Sequence, residues 1–218
     1  MTMPAGAGPE RAEVAGLLLA GGEGRRMGGV DKGWLPLAGR ALIEHVLSRL
    51  SPQVGAVWLS ANRTLDRYRL LGPPVLRDDP DWVGMGPLAG LATLAPRLPA
   101  SVRFVQLVPC DTPLLPTDLT ARLGDFLRHH ADCGACYPQT PAGPEPAMLL
   151  VRREALTSLP GYLRQGGRSL RGWLGVCVSQ GVPFDASPAF ANANDPAALA
   201  RLETLWRAEA APDCGASP

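Results

Sequence analysis

The sequence predicts an α/β fold: a mostly parallel, mixed sheet covered by helices on both faces. Apolar runs that read as strands alternate with stretches of helical periodicity. The runs "VAGLLLA" and "VRFVQLVPCD" are continuously apolar, as strands buried on both faces are. Gly (25 residues) and Pro (23 residues) fall between these runs and form no repeat, which is the pattern of tight turns joining short elements.

Taken in order, "VAGLLLA" is a buried strand that ends in a glycine-rich loop. "ALIEHVLSRL" sets Leu42, Val46 and Leu50, with Ile43 and Leu47, on one helical face. "VGAVWLSAN" is the next strand, followed by a charged helix through Tyr68 and the short strand "PVLRDD". "GPLAGLATLA" is a helix with its glycine and proline at the start. "VRFVQLVPCD" is a strand ending in Asp111, and the helix after it carries Leu119, Leu123, Phe126 and Leu127 at helical spacing. Beyond Asp132 the order is more mixed, with strands at "CGACYP" and "AMLLV", a helix from Arg153, and then "FANAND". The last helix has Asp195 as N-cap, Pro196 at its first position, and Leu199, Leu202 and Trp206 facing inward. Residues 14–207 read as one domain without a linker. Met1–Glu13 and Ala208–Pro218 are small, polar and rich in Pro and Gly, and read as disordered tails.

Composition narrows the chemistry. The chain has 218 residues, 46% hydrophobic and 19% charged, enough for one sizeable core. Its net charge of +1 points to neither nucleic acid nor an anionic membrane, so any anion site is local. Five cysteines are an odd number without framework spacing, which speaks against a paired secreted scaffold. Cys133 and Cys136 form a CxxC with no second pair to complete a zinc site, and read as thiols of a half-buried strand. No apolar run approaches the roughly 20 residues of a membrane span. "GLLLAGG" follows acidic and basic residues and runs into arginines, as a strand would and a signal core would not. The expected location is the cytoplasm.

Ligands of open α/β sheets bind at the carboxyl ends of the strands. "LAGGEGRRMGGVDKGWL", Leu19–Leu35, begins where the first strand ends, and combines glycines with Arg25, Arg26 and Lys32. Glycine lets main-chain N–H groups approach an anion closely, and cations offset its charge. It is not a P-loop, since no GxxxxGK[ST] occurs, and not a dinucleotide fingerprint, since Met27 stands where the third glycine belongs. The mixture suits several phosphates, as in a nucleoside triphosphate, although a surface turn with solvated charges has the same composition. Asp111, at a strand end in "VPCDTPLLP", suits a Mg²⁺ held on phosphates by one or two carboxylates; a turn-forming, capping Asp is the competing reading. His45, His129 and His130 lie on helices away from these motifs and read as helix-surface residues.

These motifs carry a resemblance. Leu19–Gly29, with Asp31, Lys32 and Gly33, resembles the "LAGGxxxRMGGxDKG" opening of the molybdenum cofactor guanylyltransferases, in the nucleotidyltransferase superfamily. "SANR", "GPLAG", "PCDTPLLP", "PEPAMLLVRREAL", "GGRSL" and "FANAND" follow in that family's order, from about Val14 to Leu205. The resemblance implies a Rossmann-like nucleotidyltransferase fold. It implies transfer of GMP from GTP to molybdopterin-bound molybdenum cofactor with release of pyrophosphate, with Mg²⁺ as cofactor. It further implies that Leu19, Ala20, Gly21 and Gly22 hold the nucleotide and that Arg26 and Lys32 neutralise its phosphates. Asn62 and Asp78 are implied as nucleotide contacts (Asp79 is one position away), Asp111 as the magnesium ligand, and Asn192 and Asn194 as cofactor contacts. Other cofactor-biosynthesis proteins and molybdoenzyme chaperones are candidate further partners.

The chemistry agrees with the residue types. A phosphate monoester nucleophile is already anionic at neutral pH and needs no strong base; the difficulty is repulsion between two anions, which cations and loop N–H groups relieve. In "FANAND" two asparagines two apart project from one face if the segment is extended. Competing readings are a cytidylyltransferase or sugar-phosphate nucleotidyltransferase of the same fold, and a carrier that binds nucleotide or cofactor without turnover.

Overall fold

A computed structural model of the chain describes residues 9–20, 31–185 and 188–210. In chain order the elements are β1 (Val14–Leu19), β2 (Pro36–Leu37), β3 (Arg40–Ala41), α1 (Leu42–Leu50), β4 (Ala56–Ser60), α2 (Leu65–Arg69) and β5 (Val75–Leu76). Then follow α3 (Pro87–Leu94), β6 (Phe104–Pro109), α4 (Leu119–His129), β7 (Ala135–Thr140), β8 (Gly143–Pro144) and β9 (Leu150–Arg152). The chain closes with α5 (Leu159–Arg164), α6 (Leu170–Val176), β10 (Ser179–Pro183) and α7 (Pro196–Ala210).

The main sheet runs β10-β7-β9-β6-β1-β4-β5, with β8 hairpinned onto β7. β6, β1, β4 and β5 are mutually parallel, so their carboxyl ends share one edge. β9 is antiparallel to both β6 and β7, which makes the sheet mixed and returns β7 to the direction of β6. The strand-facing rule sorts β1 cleanly. Val14 and Leu18 join α1 and α4 residues such as Leu50, Leu123 and Leu127 on one face, while Ala15 and Leu17 join Leu88, Leu91, Leu159 and Trp173 on the other. Gly16 sits under α1, where a Cβ would come within 3.1 Å of Val54 and 3.2 Å of Leu50. The strand carries a glycine because the helix packs that close.

Several elements differ from the sequence reading, each for a local reason. The helix expected from Arg153 is a 3₁₀ stretch, Glu154–Ser158, followed by α5; Pro160 lacks an N–H and so falls in the first turn of a new helix. "AMLLV" is divided between a 3₁₀ turn at Pro146–Met148 and the short β9. The leader's last residues are anchored. Arg11 donates through Nε to the Val54 carbonyl (2.6 Å) and through Nη2 to that of Ser51 (2.9 Å), and Arg11–Glu13 forms a 3₁₀ turn. At the other end α7 runs past residue 207 to Ala210.

α7 covers a third hydrophobic cluster, in which Leu202 packs with Leu37, Leu42, Leu114 and Ala193, flanked by Leu199 and Trp206. His45 lies beneath it and is 1% exposed, a correction to its reading as a surface residue. Its Nε2 is 2.8 Å from the Leu37 carbonyl and its ring is 4.2 Å from that of Trp206. His129 and His130 face outward or partly outward, as expected. Cys133 and Cys136 are free and buried, more deeply than a half-buried strand would place them. Among the described residues no helix is long and apolar enough to cross a membrane.

Candidate active site

The shared edge of β6, β1, β4 and β5 gathers the polar motifs. Leu19 ends β1 and is fixed from both sides: its carbonyl accepts from Cys110 N–H at 3.0 Å, and Ala20 N–H donates to the Ser60 carbonyl at 2.8 Å. Gly21, Gly22 and Arg26 lie outside the described residues.

The chain is described again at Asp31, the N-cap of a 3₁₀ turn, Lys32–Trp34. The three residues of "DKG" have three different tasks there. Asp31 accepts from the Tyr68 hydroxyl at 2.5 Å and from Thr64 Oγ1 at 2.7 Å. Lys32 Nζ donates to Asn194 Oδ1 at 2.7 Å and lies 3.3 Å from Asp111 Oδ2. Gly33 is buried, and a Cβ there would stand 2.9 Å from the Tyr68 hydroxyl oxygen. A larger residue would push the turn off α2.

Asp111 follows β6 by two residues, and its main-chain carbonyl accepts from Ala193 N–H at 3.0 Å. This bond fixes "FANAND" against the end of β6. Ala193 points into the α7 cluster and is fully buried, while its neighbours turn to the other side, where Asn194 Nδ2 donates to Asn192 Oδ1 at 2.5 Å. The two asparagines do share a face. Lys32 and Asp111 side chains are 20% and 14% exposed, so the ion pair is shielded but reachable.

A second pair stands on the far side of β1. Asn62 follows β4 and Asp78 follows β5; Asn62 Nδ2 donates to Asp78 Oδ2 at 2.7 Å, and Asp78 N–H donates back to Asn62 Oδ1 at 3.0 Å. Asp78 is 8% exposed, and burial pushes its carboxyl above the usual range while the Asn62 hydrogen bond opposes that. Asp79 does something else: its carboxylate caps the Pro80–Trp82 turn and its N–H donates to Thr93 Oγ1. "GPLAG" closes this side. Gly86, at φ +68°, is the N-cap of α3, and Gly90 leaves room for Ser60 Oγ, which a Cβ would meet at 2.6 Å. Among the described residues no hydrogen bond joins the two clusters. With β1 between β6 and β4, they stand about two strand spacings, roughly 10 Å, apart across the end of β1.

Two features of this edge carried little or no signal in the sequence. The Tyr68–Asp31–Thr64 group had only the "DKG" string as its signal. Glu145, in "PEPAM", follows β8, and its N–H donates to the Pro138 carbonyl at 2.9 Å; strand register sets it level with the last residues of β6, and burial pushes its carboxyl pKa up.

The donor set bears on a metal. Among the described residues no three His, Cys, Asp or Glu side chains converge into a cage. One reachable carboxylate at a strand end fits a hard cation that keeps waters and substrate phosphates as its other ligands.

The chain is thus an α/β protein whose parallel strand edge carries a lysine–carboxylate pair at one strand end and an amide–carboxylate pair across from it. The chain matches the model of the MobA-like NTP transferase domain over residues 16–180. It is 44% identical over 200 residues to a molybdenum cofactor guanylyltransferase of Methylibium petroleiphilum, covering 88% of this chain and 96% of that protein. It is 42% identical to one of Cupriavidus metallidurans, covering 84% and 91%. Among solved structures, molybdopterin-guanine dinucleotide biosynthesis protein A of Archaeoglobus fulgidus superposes with a TM-score of 0.71 at 23% identity, covering 89% of this chain and 99% of that one. The chain belongs to the MobA-like NTP transferases, among the molybdenum cofactor guanylyltransferases.

Proposed function

We propose that this chain, as one catalytic domain over residues 14–207, transfers GMP from GTP to molybdopterin-bound molybdenum cofactor and releases pyrophosphate. The observation that carries the reading is the Lys32–Asp111–Asn194 cluster at the strand edge, in a chain of this family. The acceptor phosphate attacks the α-phosphorus of GTP, the new P–O bond forms as the bond to pyrophosphate breaks, and no protein base is needed to generate the nucleophile.

The protein's work is to hold anions together. Leu19, Ala20, Gly21 and Gly22 begin the loop that would hold the nucleotide. Lys32 and Arg26 meet its phosphates. Asp111 would hold Mg²⁺, which when bound supplies charge neutralisation for the phosphates. Lys32 pairs with Asp111 and donates to Asn194; were the carboxylate to hold a cation, Asn194 would keep the amino group at the edge, where it could meet phosphate. Asn62 and Asp78 take the nucleoside, whose hydroxyls and base N–H groups suit a carboxylate acceptor. Asn192 and Asn194 face the cofactor, whose pterin edge both donates and accepts. The four described cysteines are free, as befits a cytoplasmic enzyme. The dinucleotide product would pass to other cofactor-biosynthesis proteins or molybdoenzyme chaperones.

The test is direct. Pure protein incubated with Mg²⁺, molybdenum cofactor and either GTP or CTP should give GMP in the cofactor product and pyrophosphate with GTP alone. Equal turnover of CTP, or nucleotide binding without pyrophosphate, would overturn the reading.

A further inference from the structure

We propose that Tyr68, on α2, and Thr64, the residue that caps its start, are positioning residues that act through Asp31 to fix Lys32 at the site. Four observations meet there. The Asp31 carboxylate takes one hydrogen bond on each oxygen, from Tyr68 at 2.5 Å and from Thr64 at 2.7 Å. Tyr68 is fully buried and Gly33 leaves the space that its hydroxyl fills, so the phenol reaches the turn only because the residue after Lys32 has no side chain. Trp34, the residue beyond, has the Arg67 guanidinium 3.9 Å over its ring and the Tyr68 ring 5.1 Å away. Thr64 holds φ +48° and ψ 34°, a left-handed conformation that a β-branched residue seldom adopts, and from there its hydroxyl meets Asp31.

Each contact falls on a neighbour of Lys32 and none on Lys32 itself, which is left to Asn194 and Asp111. A lysine has four rotatable bonds and loses much freedom when held, so a rigid main chain at its root removes part of that cost. The clamp sets where the stem begins, and the site sets where the ammonium ends. The inference rests on Lys32 meeting the nucleotide phosphates, as proposed above.

A double-mutant cycle on GTP affinity tests it, read by calorimetry in the full chain without acceptor substrate. Tyr68→Phe keeps the ring and its packing and removes the hydroxyl alone. It should weaken GTP about three- to tenfold, leave guanosine within about twofold, and have less than about a twofold effect when Lys32 is already alanine. Thr64→Ser, which keeps the hydroxyl, should retain wild-type affinity, whereas Thr64→Val should lose about two- to fivefold. Equal losses from Tyr68→Phe with and without Lys32, or equal losses for GTP and guanosine, would overturn the clamp and leave Tyr68 a packing residue. If Lys32→Ala itself leaves GTP affinity unchanged, the reading of Lys32 has failed and the clamp falls with it.

Discussion

The Lys32–Asp111–Asn194 cluster and the Asn62–Asp78 pair flank the end of β1, yet they are built on opposite terms. The first keeps opposite charges together, with both side chains partly open to solvent. The second keeps a single carboxylate, 8% exposed, with one neutral side-chain amide that donates to the carboxylate and accepts from the Asp78 backbone N–H. A GTP molecule has the same division. Its phosphates need mobile, reachable charge that can be redirected, whereas its nucleoside is neutral and is best read by fixed, desolvated hydrogen-bonding groups. On the function proposed above, the difference assigns the phosphates to the Lys32 side of β1 and the nucleoside to the Asp78 side.

The comparison can be broken by substitution. The largest effect should come from Asp111→Asn, which removes the charge for the cation and leaves the shape: turnover should fall on the order of 10²- to 10³-fold, with an unchanged circular dichroism spectrum. A variant that keeps near wild-type kcat at saturating Mg²⁺ and GTP would remove Asp111 from the metal.

Next in size, Lys32→Ala and Arg26→Ala should each weaken GTP about ten- to a hundredfold and guanosine hardly at all, because charge-assisted bonds to phosphate are worth roughly 1.5–3 kcal/mol. Asp78→Asn should do the reverse in kind, weakening GTP and guanosine by the same factor of about three to ten, as the loss of one well-made hydrogen bond does. Calorimetry with both ligands reads the two together. If Asp78→Asn were phosphate-selective, the two sides of β1 would not divide the nucleotide as described. Asn192→Ala should raise the KM for molybdenum cofactor about three- to tenfold with GTP affinity unchanged; a loss of GTP affinity instead would move the asparagine pair to the nucleotide side.

The smallest effect concerns stability and pH. Burial lowers the pKa of His45, and the neighbouring Arg40 and Arg49 push the same way, against the Leu37 carbonyl and Glu44. The unfolded chain therefore takes up a proton near the ordinary pKa of 6.5 that the folded chain still refuses. Stability from this group is complete above that pH and declines as pH falls below it. The drop in Tm between pH 7.5 and 5.5 should be smaller in His45→Gln than in the unsubstituted protein. Parallel drops would show that His45 carries none of it.

His45 also shows where sequence reading stops. Its place on the amphipathic helix α1 was legible, but its burial depends on α7, more than 150 residues later, laying Trp206 over it. "DKG" was legible as a motif, and Lys32 as its cation; that Asp31 serves Tyr68 and Thr64, and that Gly33 makes room for a phenol, needed α2 folded back onto the turn. Asp78 and Asp79 stand side by side in the string, and only the fold separates their surroundings: Asp78 pairs with the Asn62 amide, while Asp79 caps the Pro80–Trp82 turn.

What the sequence determined by itself is what short-range physics controls. Continuous apolar runs made β1 and β6, helical spacing made α1 and α4, and Asp195 with Pro196 opened α7, where Ala198 N–H donates to Asp195 Oδ1 at 2.7 Å. Tertiary structure alone decided the antiparallel place of β9 between β6 and β7, the depth of His45, and the meeting of Lys32 with Asn194 across 162 positions. Those outcomes depend on which distant surfaces exclude water together. A local pattern shows that a face is apolar or a side chain charged, but the partner that satisfies it is chosen only when the whole chain packs.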